Sequence, residues 1–302
     1  MNQSRRIFIR NAALAAAGTA LLSNSLFAEH AKKGQLTGVQ LYSIRTEMSK
    51  DPLGTLKALA NMGYKHVEHA NYVNRKFYDW TASEFKKVLD DLGLKMPSGH
   101  TVMSSKHWDD AKKDFTDAWK YTVEDAATVG QMFVISPSME PNTRKNASAL
   151  KAFMEVFNKS GELCKKHGMK FGYHNHDFEF SEQLEGKSLY DIILGETDPT
   201  LVMQQLDIGN MINGGAKALD IMQKYPGRFE SMHVKDEILS SSGHEKYEST
   251  ILGVGTVPVK EIIDLGKKWG TKHFIIEQES YQGKLPLDCV KEDLAIMKKW
   301  GF

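Results

Sequence analysis

Short runs rich in β-branched and aromatic residues recur along this 302-residue chain, each followed by a longer stretch with apolar residues three and four positions apart. This alternation limits the fold strongly, because strand, helix and strand in succession build a parallel sheet covered by helices. The strand-like runs are LTGVQLYS (36–43), KHVEHA (65–70), LKMPSGH (94–100), QMFVIS (131–136), MKFGYHNH (169–176), LVMQQLD (201–207), FESMHVKD (229–236) and KHFIIEQE (272–279). Between them lie amphipathic stretches such as LGTLKALANMG, SEFKKVLDDLG and LKAFMEVFNKSGELCKKHG, several closing on the glycine that suits a left-handed helix cap. Eight such units predict an α/β fold, a closed (β/α)8 TIM barrel forming a single domain over residues 35–302. An open doubly wound sheet fits less well, since no G-x-G-x-x-G opens the first helix. Two long connections, 99–115 and 235–255, read as loops over the barrel mouth.

The first 28 residues have a different character. Arg5 and Arg6 stand side by side, Arg10 closes a region without acids, and a run of alanine, leucine and glycine follows. That run falls short of the about 20 strongly apolar residues of a membrane helix, so no stable membrane span is expected. The pattern reads as a twin-arginine-type signal peptide over residues 1–28, and predicts export in the folded state to the periplasm. The whole chain carries 39 Lys and Arg against 38 Asp and Glu, and without the leader it turns slightly acidic. With lysines interspersed among acids, no nucleic-acid partner is expected. Cys164 and Cys289 lie in helical segments without a C-x-x-C partner. They read equally as a disulfide or as two buried thiols, and no chemistry is placed on them.

In a barrel of this type the chemistry sits at the C-terminal ends of the strands. Standing there are Glu68 with His69, His100, the triplet His174, Asn175 and His176, Asp207 followed by Asn210, His233 with Lys235 and Asp236, and Glu277 with Glu279. Strand alternation puts His174 with His176, His233 with Lys235, and Glu277 with Glu279 on common sides. Carboxylates crowded into a buried mouth are costly unless a cation neutralises them. Mixed imidazole and carboxylate donors suit Mn²⁺, Co²⁺, Fe²⁺ or Zn²⁺, with Mg²⁺ a weaker match.

GVQLYSIR at the first strand, YHNHDFEF at the fifth, LDIGN at the sixth, MHVKD at the seventh, LGVGTV after it and IIEQE at the eighth resemble the xylose isomerase-like TIM-barrel superfamily. Within it they resemble the set often called sugar phosphate isomerases/epimerases, from about residue 35 to the C-terminus. The resemblance implies a divalent metal held by one residue from each of strands five to eight. Those residues are His174, with His176 one step away, then Asp207, His233 and Glu277. Ketose epimerases of this superfamily carry Glu at the fifth-strand position and His where this chain has Asn210. The inosose-dehydratase-like branch also has a His-rich fifth strand.

The implied activity is that of an isomerase or epimerase acting on a sugar or keto-sugar through proton abstraction beside a carbonyl and an enediolate. The competing activity is that of a lyase or hydratase of a keto-sugar or keto-glycoside. The implied roles are metal ligand for Glu277, base for Glu279, proton return for His176 and Glu179, and oxyanion charge for Lys235. Glu68, His100, Glu179 and Asn210 are expected around the substrate. The partner is a small carbohydrate, and homo-oligomerisation stays open. Gly253 and Gly255 offer backbone amides to an anion or simply make a turn. Tyr42, Tyr72, Phe77, Trp80 and Trp108 offer rings for stacking on sugar faces or for helix packing.

Overall fold

Every one of the eight strand-like runs becomes a strand of one closed parallel barrel in the computed structural model, which describes residues 35–241 and 246–302. The strands are β1 (Leu36–Gln40), β2 (His66–His69), β3 (Lys95–His100), β4 (Phe133–Ser136), β5 (Lys170–His174), β6 (Val202–Asp207), β7 (Phe229–Val234) and β8 (His273–Ile276). Closure comes from β1, which pairs with β2 on one side and with β8 on the other. The outer helices are α1 (Pro52–Met62), α2 (Ala82–Asp91), α3 (Asp117–Val129), α4 (Ala147–Lys166), α5 (Leu189–Glu196), α6 (Ala218–Lys224), α7 (Val259–Lys268) and α8 (Pro286–Lys299). Residues Leu36–Phe302 form one compact unit. The leader expected over residues 1–28 lies outside the described residues, as do His30 and His244. Among the described residues no helix is long and apolar enough to cross a membrane.

Helix boundaries follow local chemistry. Helix α1 opens with Pro52 behind Asp51, whose carboxylate accepts the Gly54 N–H, and ends on Gly63 at φ 100°, where a side chain would be strained. Helix α2 opens on a reciprocal Thr81–Glu84 capping box. The apolar faces of the helices pack on outward strand residues such as Phe171, Tyr173, Leu206, Met232, Phe274 and Ile276. Inside the barrel, among the described residues, Phe133, Ile135 and Met203 form a small buried apolar cluster, and Ile275 packs against Gly38. Much of the remaining interior is polar.

Four strands stop two or more residues earlier than their runs predict. After Gln40 the chain turns into a 3-10 helix (Leu41–Ile44), and His176, Lys235 and Glu277–Glu279 lie beyond the last strand residue. Side-chain oxygens replace the ladder there: Gln278 N–H donates to Ser43 Oγ at 3.0 Å and Glu279 N–H to Ser249 Oγ at 2.8 Å. The two long connections are not plain loops either. The first holds a short hairpin, Trp108–Asp109 with Asp114–Phe115, pinned by an edge contact between Trp108 and Phe115. The second holds the hairpin Asp236–Leu239 with Tyr247–Thr250. Both cysteines are buried and unpaired.

The second hairpin is tied down by a buried carboxylate. Asp236 accepts N–H groups from Gly253 at 2.8 Å, Gly255 at 3.0 Å and Val257 at 3.1 Å. The amides considered for an external anion thus bind an internal one, so the glycine run is a turn and offers no phosphate cradle. A Cβ on Gly255 would lie 2.2 Å from Asp236 Oδ1 and 2.5 Å from Glu237 O. Gly255→Ala is therefore expected to cost at least about 1–3 kcal/mol as overpacking, read as a lower urea midpoint with an unchanged slope. An unchanged midpoint would refute this account of the turn.

Candidate active site

The floor of the mouth is Glu68, a carboxylate with no exposed surface at the end of β2. Gln40 Nε2 donates to it at 2.8 Å, Gln205 Nε2 at 2.9 Å, Ser98 Oγ at 2.5 Å and His233 Nε2 at 2.6 Å. Burial alone would raise its pKa, but the charges of His100 and His233 and the bonds from His233 and Ser98 hold it down at about 2. With every lone pair engaged, Glu68 cannot hold a sugar hydroxyl as expected. It acts instead on its neighbours.

Above it, four donors converge. His233 commits Nε2 to Glu68 and turns Nδ1 toward Glu277 Oε2 at 2.9 Å and Asp207 Oδ2 at 3.6 Å. His174 commits Nδ1 to Gln205 Oε1 at 3.1 Å and leaves Nε2 facing Asp207 Oδ2 at 3.9 Å. Asp207 caps the short helix Ile208–Asn213 by accepting the Asn210 N–H on Oδ1 at 2.7 Å, while Oδ2 is buried without a hydrogen bond. His174, His233 and Asp207 each have one atom held by an outer partner and the other turned toward the cluster, which is how outer hydrogen bonds orient metal ligands. Donor atoms about 2.0–2.2 Å from a common centre lie roughly 3–4 Å from one another; Asp207, His233 and Glu277 bring donor atoms within 4.8 Å of one another, as do His100, His174 and His233, and His174 stands beside the first set at 3.9 Å from Asp207, so the residues offer a divalent cation a donor set.

A cation of the chain's own already stands there. Lys235 Nζ lies 3.1 Å from Asp207 Oδ2, 2.9 Å from Glu277 Oε2 and 2.7 Å from Glu279 Oε1, on a side chain that is essentially buried. Burial works against its charge, and the three acids more than restore it, so its pKa is raised. Glu277 is pulled the other way, below the usual carboxylate range, as Lys235 and His233 overcome the cost of burial.

The remaining candidates divide. His100, His174, His176, Asn210, Glu277 and Glu279 line one cavity of about 970 Å³. Glu179 does not reach it: the side chain is fully buried, bonded by the Tyr173 hydroxyl and by the His176 N–H at 2.8 Å. Burial raises its pKa to about 7. Its place is beneath His176, which it positions through the backbone. His69 faces the helices, edge-on to Phe77. Of the five aromatic candidates only Tyr42 and Tyr72 line the cavity; Phe77 and Trp80 stack on Phe85, and Trp108 packs on Phe115. Gln40, Ser98, Gln205 and Ser231 belong to the buried network and were missed. Their signal was a polar residue at an inward position of an otherwise apolar strand.

A closed barrel with an acid and imidazole cluster at the C-terminal ends of its strands defines a class of TIM-barrel protein with its polar chemistry gathered at one mouth. The family model of the xylose isomerase-like TIM barrel matches residues 56–300, and the chain belongs to that family. The chain is 26% identical to an inosose dehydratase of Clostridium beijerinckii over 81% of its own length and 83% of the relative's. A solved sugar phosphate isomerase/epimerase from Parabacteroides distasonis superposes with a TM-score of 0.74 at 27% identity, covering 88% of this chain and 94% of that one. An L-ribulose 3-epimerase shares the fold at 15% identity, with a TM-score of 0.66 over 88% of this chain and 94% of that one.

The geometry makes a thermodynamic prediction. Burial lowers the pKa of His233, but Glu277 and Glu68 more than reverse this and raise it well above the usual imidazole value, so the metal-free ring is protonated at neutral pH. A cation needs the Nδ1 lone pair, so binding must expel that proton, and affinity must climb as pH rises. Calorimetric titration with MnCl2 in buffers of different ionisation heat is expected to give close to one proton released per ion. Binding with no proton release would overturn the assignment of His233.

Proposed function

We propose that this chain is a metal-dependent carbohydrate lyase: it removes the proton beside the carbonyl of a keto-sugar or keto-glycoside and expels an oxygen substituent from the adjacent carbon. The observation that carries this reading is the inequality of the two sides of the mouth. Carboxylates Glu277 and Glu279 follow β8, and imidazoles His174 and His176 stand at β5, where a ketose epimerase of the resembled kind has Glu. Re-protonating the same carbon from a matching carboxylate is not what this pair suits. The inosose dehydratase relatives, named for loss of water, support the same choice.

The residues divide the work as follows. A divalent cation on His174, Asp207, His233 and Glu277 would polarise the carbonyl as a Lewis acid. Glu279, at the cavity wall, takes the C–H proton. Lys235 sets its positive charge beside the oxygen on which negative charge develops. The electron pair then forms a carbon–carbon double bond conjugated with the carbonyl as the carbon–oxygen bond breaks. His176, held neutral because burial lowers its pKa, supplies an N–H proton to the departing oxygen, as neutral imidazoles do elsewhere. His100 and Asn210 hold hydroxyls.

An isomerase or epimerase is the second reading, favoured by the Parabacteroides distasonis neighbour. An exported location is part of the proposal and goes with unphosphorylated substrates. The internal use of the Gly253 and Gly255 amides supports that choice.

Incubating the protein with Mn²⁺ and a panel of 3-keto-glycosides in D2O separates the two outcomes. A lyase yields the ultraviolet band of an unsaturated ketone together with the free leaving group. Solvent deuterium at one carbon with no loss of a group would establish the epimerase instead. Glu279→Gln is expected to slow turnover by about 10²–10⁴-fold, and Asp207→Ala to lose metal binding and turnover together. A metal-free Asp207→Ala protein with full activity would end the proposal.

A further inference from the structure

Exposed apolar surface on this barrel is concentrated in one place. Nine large hydrophobic side chains are exposed among the described residues, and four of them, Tyr42, Val73, Val102 and Tyr121, line the same cavity as the acid and imidazole cluster. Val73 and Val102 follow β2 and β3, and Tyr121 belongs to α3. The donors follow β5 to β8, across the mouth, with Tyr42 after β1 between the two groups. The half facing the donors therefore presents a wall of rings and methyl groups, interspersed with polar residues such as Asn71, Asn74, Thr101 and Lys106.

That wall is built rather than incidental. Tyr72 donates its hydroxyl to Asp125 Oδ2 at 2.6 Å, and Arg75 grips the same carboxylate through Nη2 at 2.7 Å and Nε at 3.0 Å. The Arg75 guanidinium also lies over the Tyr121 ring, 4.1 Å from its centroid. Tyr72, Arg75 and Asp125 are thus spent on one another, and the two tyrosine rings are held in place before any ligand arrives. Preorganised rings lose little freedom on binding. The cavity, at about 970 Å³, stands near the top of the about 300–1,000 Å³ that encloses a drug-sized ligand. A single sugar ring on the donors would leave the wall bare.

From this we infer that the wall is a subsite for a planar apolar group attached to the sugar, so that the ligand is a glycoside with an aromatic aglycone rather than a free monosaccharide. The sugar half of this assignment rests on the function proposed above; the aglycone half rests on the wall.

The test is calorimetric binding to the whole protein with saturating MnCl2, using phenyl β-D-glucopyranoside, methyl β-D-glucopyranoside and cellobiose as non-reacting probes. The phenyl compound is expected to bind about tenfold more tightly than the methyl compound, as burial of one ring face allows, and more tightly than cellobiose. Val102→Asp should bring the phenyl-to-methyl ratio close to one, and Tyr121→Ser should do so by a different route, each with an unchanged circular dichroism spectrum. Tyr121→Ser decides the matter if Val102→Asp does not fold. Absent or equal phenyl binding, a preference for cellobiose, or a ratio that survives the substitutions would overturn the subsite. So would a dimer in sedimentation equilibrium that Val102→Asp dissociates, since a second copy would then be the occupant. Turnover of keto-sugars without a phenyl preference removes the subsite alone, whereas a phenyl preference without turnover of any carbonyl compound removes the lyase and leaves the subsite standing.

Discussion

Glu68 is one negative charge without access to water, and the polarity of the mouth propagates from it. An ionised carboxylate accepts only, so every group touching it must donate. His233 answers with Nε2–H and Gln205 with its amide Nε2. Gln205 is then oriented: its carbonyl must face the other way, and it receives His100 Nε2 at 2.7 Å and His174 Nδ1 at 3.1 Å. His174 therefore carries its proton on Nδ1 and presents the bare Nε2 to Asp207. One buried charge fixes the tautomers of the rings around it through a single amide. Taking Glu68 away would free Gln205 to flip, and the convergence of donors would be lost without a ligand having been touched.

The same electrostatic requirement explains Lys235. Asp207, Glu277 and Glu279 approach one another closely enough that a barrel folded without a divalent ion needs another cation among them. Lys235 meets that need and is itself held by the hairpin that follows, because the next residue, Asp236, is locked by the amides of the 253–257 turn. The cluster can thus exist before an ion is loaded. An ion bound there would compete with the ammonium for the oxygens of Asp207 and Glu277, while Glu279 would still hold the ammonium.

The sequence carried the fold clearly, because alternation of apolar runs is local and repeated eight times. It carried the strand ends less well. His176, Gln278 and Glu279 continue an extended pattern but leave the sheet, since Ser43 and Ser249 capture the amides of Gln278 and Glu279, and Glu179 takes that of His176. Those serines are remote in sequence and carry no signal of their own. Glu179 misled for a related reason: a glutamate near a histidine-rich strand suggests proton transfer, but one turn of helix aims it down at Tyr173 and the His176 amide. Gln205 was the more instructive omission. Its neutral side chain has no chemistry to advertise, and its importance is purely directional.

Filling the barrel with polar side chains has a structural consequence. Barrel interiors of this fold are ordinarily packed by branched apolar residues in layers, whereas here, among the described residues, Phe133, Ile135 and Met203 form a small cluster with Ile275 packed against Gly38. Hydrophobic stabilisation must then come mainly from the layer between strands and helices, where two large clusters run along the outward faces. The floor compensates by saturation: Glu68 has all its donors, and Gly172 and Gly38 let the few apolar groups close in, a Cβ on Gly172 falling 2.6 Å from Met203 Sδ. The mouth compensates by charge pairing: Asp207 Oδ2, turned away from the amide that its Oδ1 caps, has Lys235 Nζ at 3.1 Å. A fully buried charge is thus met by hydrogen bonds at the floor and by an opposite charge at the rim, the two ways in which a barrel can carry acids in its interior.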